Sequence, residues 1–224
     1  MRSVSLLPPA TRRAALAALA FVVALGPVAA TGAEGTKPAA KAGKSCCTPA
    51  AADAAPETGG TAYQRSVEEL TVPDLTLVRM DGRKVSLRDE LTADTPVLVN
   101  FIFTTCTTIC PVMSAGFANL QRKLGPEASG VRLISISIDP ENDTPETLKS
   151  YLERYGAKPG WDFYTGRRDD ILAVMKAFNA AVSDKMQHQP LTFLKAPGDP
   201  RWVRIYGLVG TSDLLSEYRQ VSKR

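Results

Sequence analysis

The chain has 224 residues, 44% of them hydrophobic and 22% charged, which suits one globular domain with tails. Its formal charge is +4, but Arg2, Arg12 and Arg13 fall within the first 33 residues, which hold no acidic residue, and without them the balance drops to +1. A body so close to neutral argues against nucleic acid as the main partner.

Residues 1–33 read as a signal peptide or N-terminal anchor. The three arginines precede or open a short apolar stretch from Ala14 to Leu25, and Val28-Ala29-Ala30 and Thr31-Gly32-Ala33 offer small-residue cleavage sites. The apolar stretch falls short of the ~20 residues that a membrane span needs. Residues 34–62, rich in Ala, Gly, Pro, Lys and Thr, show neither strand nor helix periodicity and read as a flexible tether, with Cys46-Cys47 in its middle. An exported chain meets oxidising conditions, so four cysteines could make two disulfides. The core is large enough to stand without them, which shifts the expectation from staples to chemistry.

The folded domain is expected over 63–224. Leu70 to Val78 is a strand candidate that Pro73 shortens or confines to an edge. Asp81-Gly82 makes a turn, and Lys84 to Leu87 returns as the second strand of a hairpin. Val97 to Phe103 is apolar almost throughout, as a strand buried on both faces would be. Pro111 suits the first turn of a helix, and Met113, Phe117, Leu120 and Leu124 then recur at helical spacing. Val131 to Ile138 alternates apolar and small polar residues and makes a second central strand. Thr144-Pro145-Glu146 opens a helix whose buried face is Leu148, Tyr151, Leu152 and Tyr155, with Gly156 at its end. Trp161 to Tyr164 is a strand, Asp169 to Val182 a helix, Leu191 to Ala196 and Trp202 to Val209 an antiparallel pair, and Thr211 to Lys223 a closing helix. Strands alternating with helices before a late hairpin predict an open α/β sheet covered on both faces, with its site at the carboxyl ends of the strands.

Cys106 and Cys110 lie just past one such end, in Asn100-Phe-Ile-Phe-Thr-Thr-Cys-Thr-Thr-Ile-Cys-Pro111. Two thiols at this spacing can form and exchange a disulfide, Cys106-Cys110, or hold one metal ion between two sulfurs. A helix N-terminus favours the thiolate that both roles need. The C-x3-C spacing departs from the usual C-x2-C redox motif. A plain structural disulfide would close so short a loop that it would add little stability. An iron–sulfur cluster wants four cysteines, and the other two lie on the tether. His188 is the only histidine, in a polar loop ahead of a strand. Two cysteines and a histidine suit copper in either oxidation state, and also zinc with one open position.

Phe103-Thr-Thr-Cys-Thr-Thr-Ile-Cys-Pro111 resembles the copper-binding loop of the SCO/SenC proteins, and Ser137-Ile-Asp-Pro-Glu-Asn-Asp-Thr-Pro145 resembles their second signature. His188, ahead of the Leu191–Gly207 hairpin, lies where that family places its histidine ligand. The resemblance spans roughly residues 65–220. It implies a thioredoxin-like open sheet with helices on both faces and an N-terminal β-hairpin extension. It further implies an exported or membrane-tethered protein, periplasmic or on the outer face of the inner membrane, soluble if the leader is cleaved and otherwise touching the membrane only through it. By the same resemblance Cys106, Cys110 and His188 would bind one copper ion, Cu(I) or Cu(II), received from a copper donor. The copper would serve the binuclear copper centre of cytochrome c oxidase subunit II, or another cuproprotein. Asp139 would be a residue behind the ligands or a partner contact, with a plain cap of the turn before Pro140 as the alternative, and Asp143 a helix-start residue. The implied role is that of an assembly factor rather than an enzyme in the turnover sense.

Two departures from the family pattern bear on loop rigidity. Thr107 follows the first cysteine where proline is frequent, and Gln189-Pro190 follow the histidine where serines are frequent. Pro190 also sits near where thioredoxin-like folds carry a cis-proline, so a cis bond is one expectation there. The alternative function is a thiol–disulfide oxidoreductase that keeps target cysteines reduced for copper loading. A peroxidase of the peroxiredoxin type fits the fold, but the body offers no separate resolving cysteine. Cys46-Cys47 reads as a trap for Cu(I), as exposed thiols without consequence, or as an intermolecular disulfide.

Overall fold

Every side chain of the run Val97–Ile102 is buried, and this strand lies at the centre of an eight-stranded sheet. The structure is a computed structural model that describes residues 63–92 and 94–223. The leader and tether expected over 1–62, with Cys46 and Cys47, lie outside the described residues.

In chain order the elements are β1 (Gln64–Glu69), β2 (Thr76–Arg79), β3 (Lys84–Ser86), α1 (Leu87–Leu91), β4 (Val97–Ile102), α2 (Ile109–Leu124), β5 (Arg132–Ser137), α3 (Pro145–Arg154), β6 (Trp161–Thr165), α4 (Arg168–Ala177), β7 (Leu191–Lys195), β8 (Arg201–Tyr206) and α5 (Thr211–Val221). The sheet order is β1-β8-β7-β4-β5-β6-β2-β3. The β2–β3 hairpin extends the sheet at one side, and β1 pairs antiparallel with β8 at the other. In the expected strand Leu70–Val78, only the last residues pair. Pro73 lies in an irregular stretch ahead of β2, and β3 takes the edge. The polar segment of β1 gave no strand signal in the sequence. It is exposed along most of its length and is held by its ladder with β8.

Alternation along β4 splits the core in two. Leu98 and Ile102 point to the face covered by α2, α3 and α5, where they join Phe117, Leu120, Leu148, Leu133 and Leu214. Val97, Val99 and Phe101 point to the face covered by α1 and α4, beside Ile134, Ile136, Ile171 and Val174. The helix expected to run to Val182 stops at Ala177. Phe178 turns into the core, and Asn179 takes a left-handed φ of 50° that no helix continues through.

β4 runs parallel to β5 and antiparallel to β7. The carboxyl ends of β4 and β5 and the amino end of β7 therefore meet at one end of the sheet. Three loops gather there: 103–108 after β4, 138–144 after β5, and 184–190 before β7. They carry Cys106, Asp139 and His188 respectively, and Cys110 follows the first loop in the opening turn of α2.

Candidate dithiol–imidazole site

A strand buried on both faces cannot shift, so it delivers Phe103 and the residues after it at a fixed place. Cys106 lies in the turn before α2, its N–H donating to the Phe103 carbonyl at 3.2 Å, and Cys110 lies in the first turn of α2. Pro111 also falls in that first turn, where its missing N–H leaves no helical bond unmade. Both cysteines are free, and both are buried.

The two thiols are chemically unlike. Burial works against ionisation of Cys106. N–H groups of Cys110 and Thr108, the Thr108 hydroxyl and the Cys110 thiol all bond its sulfur and outweigh that cost, so its pKa falls below the ordinary thiol value. Cys110 is pushed well up, first by burial and then by the Cys106 sulfur and the charge of Asp143. The first ionisation therefore belongs to Cys106.

His188 comes 78 positions after Cys110 and brings Nε2 to 3.5 Å from its Sγ. Burial drives the imidazole pKa below its usual value, against the opposing pull of the carbonyls of Lys185 and Phe101, so the ring is neutral and able to act as a ligand at neutral pH. Phe103 packs edge-on against it at 5.5 Å between ring centroids. The peptide bond before Pro190 is trans, not cis.

The donors form a chain with Cys110 in the middle. The Cys106 sulfur bonds Cys110 on one side while also meeting Thr108 Oγ1 at 3.6 Å, and His188 meets Cys110 on the other. Among the described residues no three His, Cys, Asp or Glu side chains are drawn together into a closed metal cluster. The chemistry of the set nonetheless fits a soft metal: two sulfurs, one of them easily ionised, and a neutral imidazole, all withdrawn from water.

Asp139 does not touch the thiols. It is buried beside Ser137, whose Oγ accepts its N–H at 3.0 Å, and its carboxylate accepts from Asn142 Nδ2 and, at 2.6 Å, from Lys185 Nζ. Asp143 corrects the reading of it as a helix-start residue. Thr144 caps α3, its side chain accepting from the Thr147 N–H. Asp143 turns inward instead, is fully buried, and accepts from the Thr104 N–H, the Thr104 hydroxyl and the Ser137 hydroxyl. It thereby ties the thiol loop, two residues before Cys106, to the end of β5. A groove of about 570 Å³ lies beyond Asp139 and Lys185, lined by Ile138, Leu172, Met175 and Val182 among others, with neither thiol nor imidazole in its wall.

The open sheet with helices on both faces, and a dithiol straddling a helix start at the carboxyl end of a central strand, define a thioredoxin-like domain. An imidazole brought in from a distant loop adds a third soft-metal donor. The chain belongs to the SCO1/SenC family, whose model matches residues 64–213. It is 36% identical over 162 residues to the SCO1 protein homolog of Bacillus subtilis, covering 67% of this chain and 82% of that one. The solved structure of BsSco, described as a member of the Sco family of cytochrome c oxidase assembly proteins with a disulfide switch, is 35% identical. It matches with a TM-score of 0.58 over 69% of this chain and 95% of its own. ScoI of Bradyrhizobium japonicum, solved with copper bound, is 25% identical and matches with a TM-score of 0.56 over 67% of this chain and 99% of its own.

Proposed function

We propose that this chain carries one copper ion, held by Cys106, Cys110 and His188, and hands it to the binuclear copper centre of cytochrome c oxidase subunit II. The observation that carries the reading is the 3.5 Å approach of His188 Nε2 to Cys110 Sγ, made by residues 78 positions apart. Thiol exchange alone has no use for that imidazole. Relatives point the same way: ScoI of Bradyrhizobium japonicum was solved with copper, and BsSco is placed among oxidase assembly proteins.

The side chains divide the work. Cys106 ionises first and makes the first sulfur contact. Cys110 yields its proton only when a cation replaces it, because burial opposes a bare thiolate there. His188 completes the set from the opposite loop. Two thiolates hold Cu(I) on their own, whereas Cu(II) leans on the imidazole, so removing His188 acts unevenly on the two states. Release then proceeds by ligand exchange, donor by donor, with a partner that offers ligands of its own. The leader-like composition of residues 1–33 supports work outside the cytoplasm, with the domain either free or held at the membrane.

The test is copper affinity by chelator competition for the wild type and His188→Ala. The variant is expected to bind Cu(II) weaker by about tenfold or more while keeping most of its Cu(I) affinity. Equal Cu(II) affinity in the two proteins would count against the three-donor site.

The second reading is thiol–disulfide exchange, favoured by the free pair and the lowered pKa of Cys106. The Cys106 thiolate would attack a target disulfide, expelling one target thiolate. Cys110 would then close the Cys106-Cys110 disulfide and free the second, so that the target gains the two electrons the pair loses. Full function in His188→Ala together with its loss in Cys106→Ser would favour that reading.

A further inference from the structure

We infer that Lys185 is a positioning residue, a latch that sets the His188 imidazole against Cys110 through its ion pair with Asp139. The inference rests on the copper reading above and adds a residue that no motif marks.

Lys185 opens a 3-10 turn, Lys185–Gln187, that ends on His188. The His188 N–H donates to the Lys185 carbonyl at 3.2 Å, so the backbone of one residue moves with the other. At the far end of its side chain, Nζ donates to Asp139 Oδ2 at 2.6 Å, across to the loop after β5. Asp139 cannot follow if Lys185 leaves, because Asn142 and Ser137 hold it. The same ammonium lies 5.5 Å from the centre of the Phe103 ring, which packs on the imidazole. One cation thus touches a fixed carboxylate and the ring that walls the histidine. On the other side of His188, Pro190 is tied to β8, its carbonyl accepting from the Gly207 N–H at 2.9 Å. The turn within 184–187 otherwise bonds chiefly to itself, Asp184 Oδ1 accepting from the Met186 N–H, and Met186 faces solvent.

The lysine side chain is 37% exposed, so the pair is a rim contact that salt screens and that adds little to global stability. Its consequence is geometric: with the latch closed the site offers sulfur, sulfur and nitrogen; with it open it offers two sulfurs. Opening the latch is then the step that favours Cu(I) over Cu(II) and starts the exchange with a partner.

The test compares wild type, Lys185→Met, Lys185→Arg and His188→Ala. In Lys185→Met, Cu(II) affinity should fall by about tenfold, the size that lost support behind a metal ligand commonly brings. Cu(I) affinity should stay within about threefold, and the melting temperature close to wild type. On copper-free protein, amide exchange over 185–189 should quicken about tenfold or more, as expected of a turn freed from its anchor. Lys185→Arg, which keeps the ion pair, should hold both the Cu(II) affinity and the exchange rate near wild type. Unchanged exchange and unchanged Cu(II) affinity in Lys185→Met, beside a weakened His188→Ala, would overturn the latch and leave the copper site standing. Unchanged Cu(II) affinity in His188→Ala itself would overturn the copper site, and the exchange data on copper-free protein would then decide the latch alone.

Discussion

Cys106 and Cys110 stand four positions apart and face opposite electrostatic conditions. N–H and hydroxyl donors surround the first sulfur, while apolar packing, a neighbouring sulfur and the charge of Asp143 surround the second. Alkylation of the reduced, copper-free protein followed by mass spectrometry should therefore modify Cys106 first, with a midpoint below the usual ~8.5 of a cysteine. Cys110 should react appreciably only at higher pH or after unfolding. Equal rates would remove the asymmetry on which the order of ligation depends. His188 makes a second prediction. Its folded pKa is depressed by burial, so the unfolded chain takes up a proton first as pH falls. Stability is then fully present above about 6.5, the unfolded value, and is lost as pH drops below it towards the folded value. Denaturation of copper-free protein between pH 7.5 and 5 should show this slope, and His188→Gln should flatten it.

At the level of elements, the site depends on loops held by groups that the sequence does not flag. Asp143 joins the thiol loop to β5 through Thr104 and Ser137. Asp143→Ala leaves those buried donors unpaired and should cost about 1–3 kcal/mol in chemical denaturation, with loosened thiol geometry read as a loss of the reactivity difference between Cys106 and Cys110. Before a Thr-Pro helix start an aspartate resembles a cap, which is why the sequence reading misplaces Asp143. Only the path of β4 and β5, side by side and parallel, shows that it faces Thr104. The cysteines were legible because thiols at the end of an apolar strand are out of place as core. His188 was only partly legible: a lone histidine in a polar loop is a plausible ligand but shares no spacing with the cysteines, and the family resemblance is what tied it to them. Lys185 carried no signal, since a lysine in such a loop looks like solvent-facing charge until Asp139 is seen opposite it.

Across the whole molecule, the alternation along β4 sorts stability from chemistry. Leu98, Ile102, Cys106 and Cys110 share the core under α2, whereas Phe101 packs on the other face against Phe178 and Phe193, edge-on at 5.6 and 6.1 Å. Phe101→Ala should cost about 3–5 kcal/mol of unfolding free energy. While the protein remains folded, its copper affinity should match the wild type, because the sheet stands between the cavity and the thiols. The central strands and the long helices could be read from periodicity, since burial on both faces or on one leaves its period in the residues. Strand β1 could not. Its residues Gln64–Glu69 carry no apolar alternation, and its place is set by pairing with β8 and by Glu217 of α5, whose buried carboxylate accepts from Tyr63 and from Arg65.

The central claim is a shared ion between two neighbouring sulfurs and an imidazole from a distant loop. X-ray absorption at the copper edge of the loaded protein tests it most directly. Two sulfur donors with at least one nitrogen donor in the Cu(II) form are predicted, the nitrogen of His188 vanishing in His188→Ala and one sulfur vanishing in Cys106→Ser. A spectrum with fewer than two sulfurs, or one that His188→Ala leaves unaltered, would contradict the account.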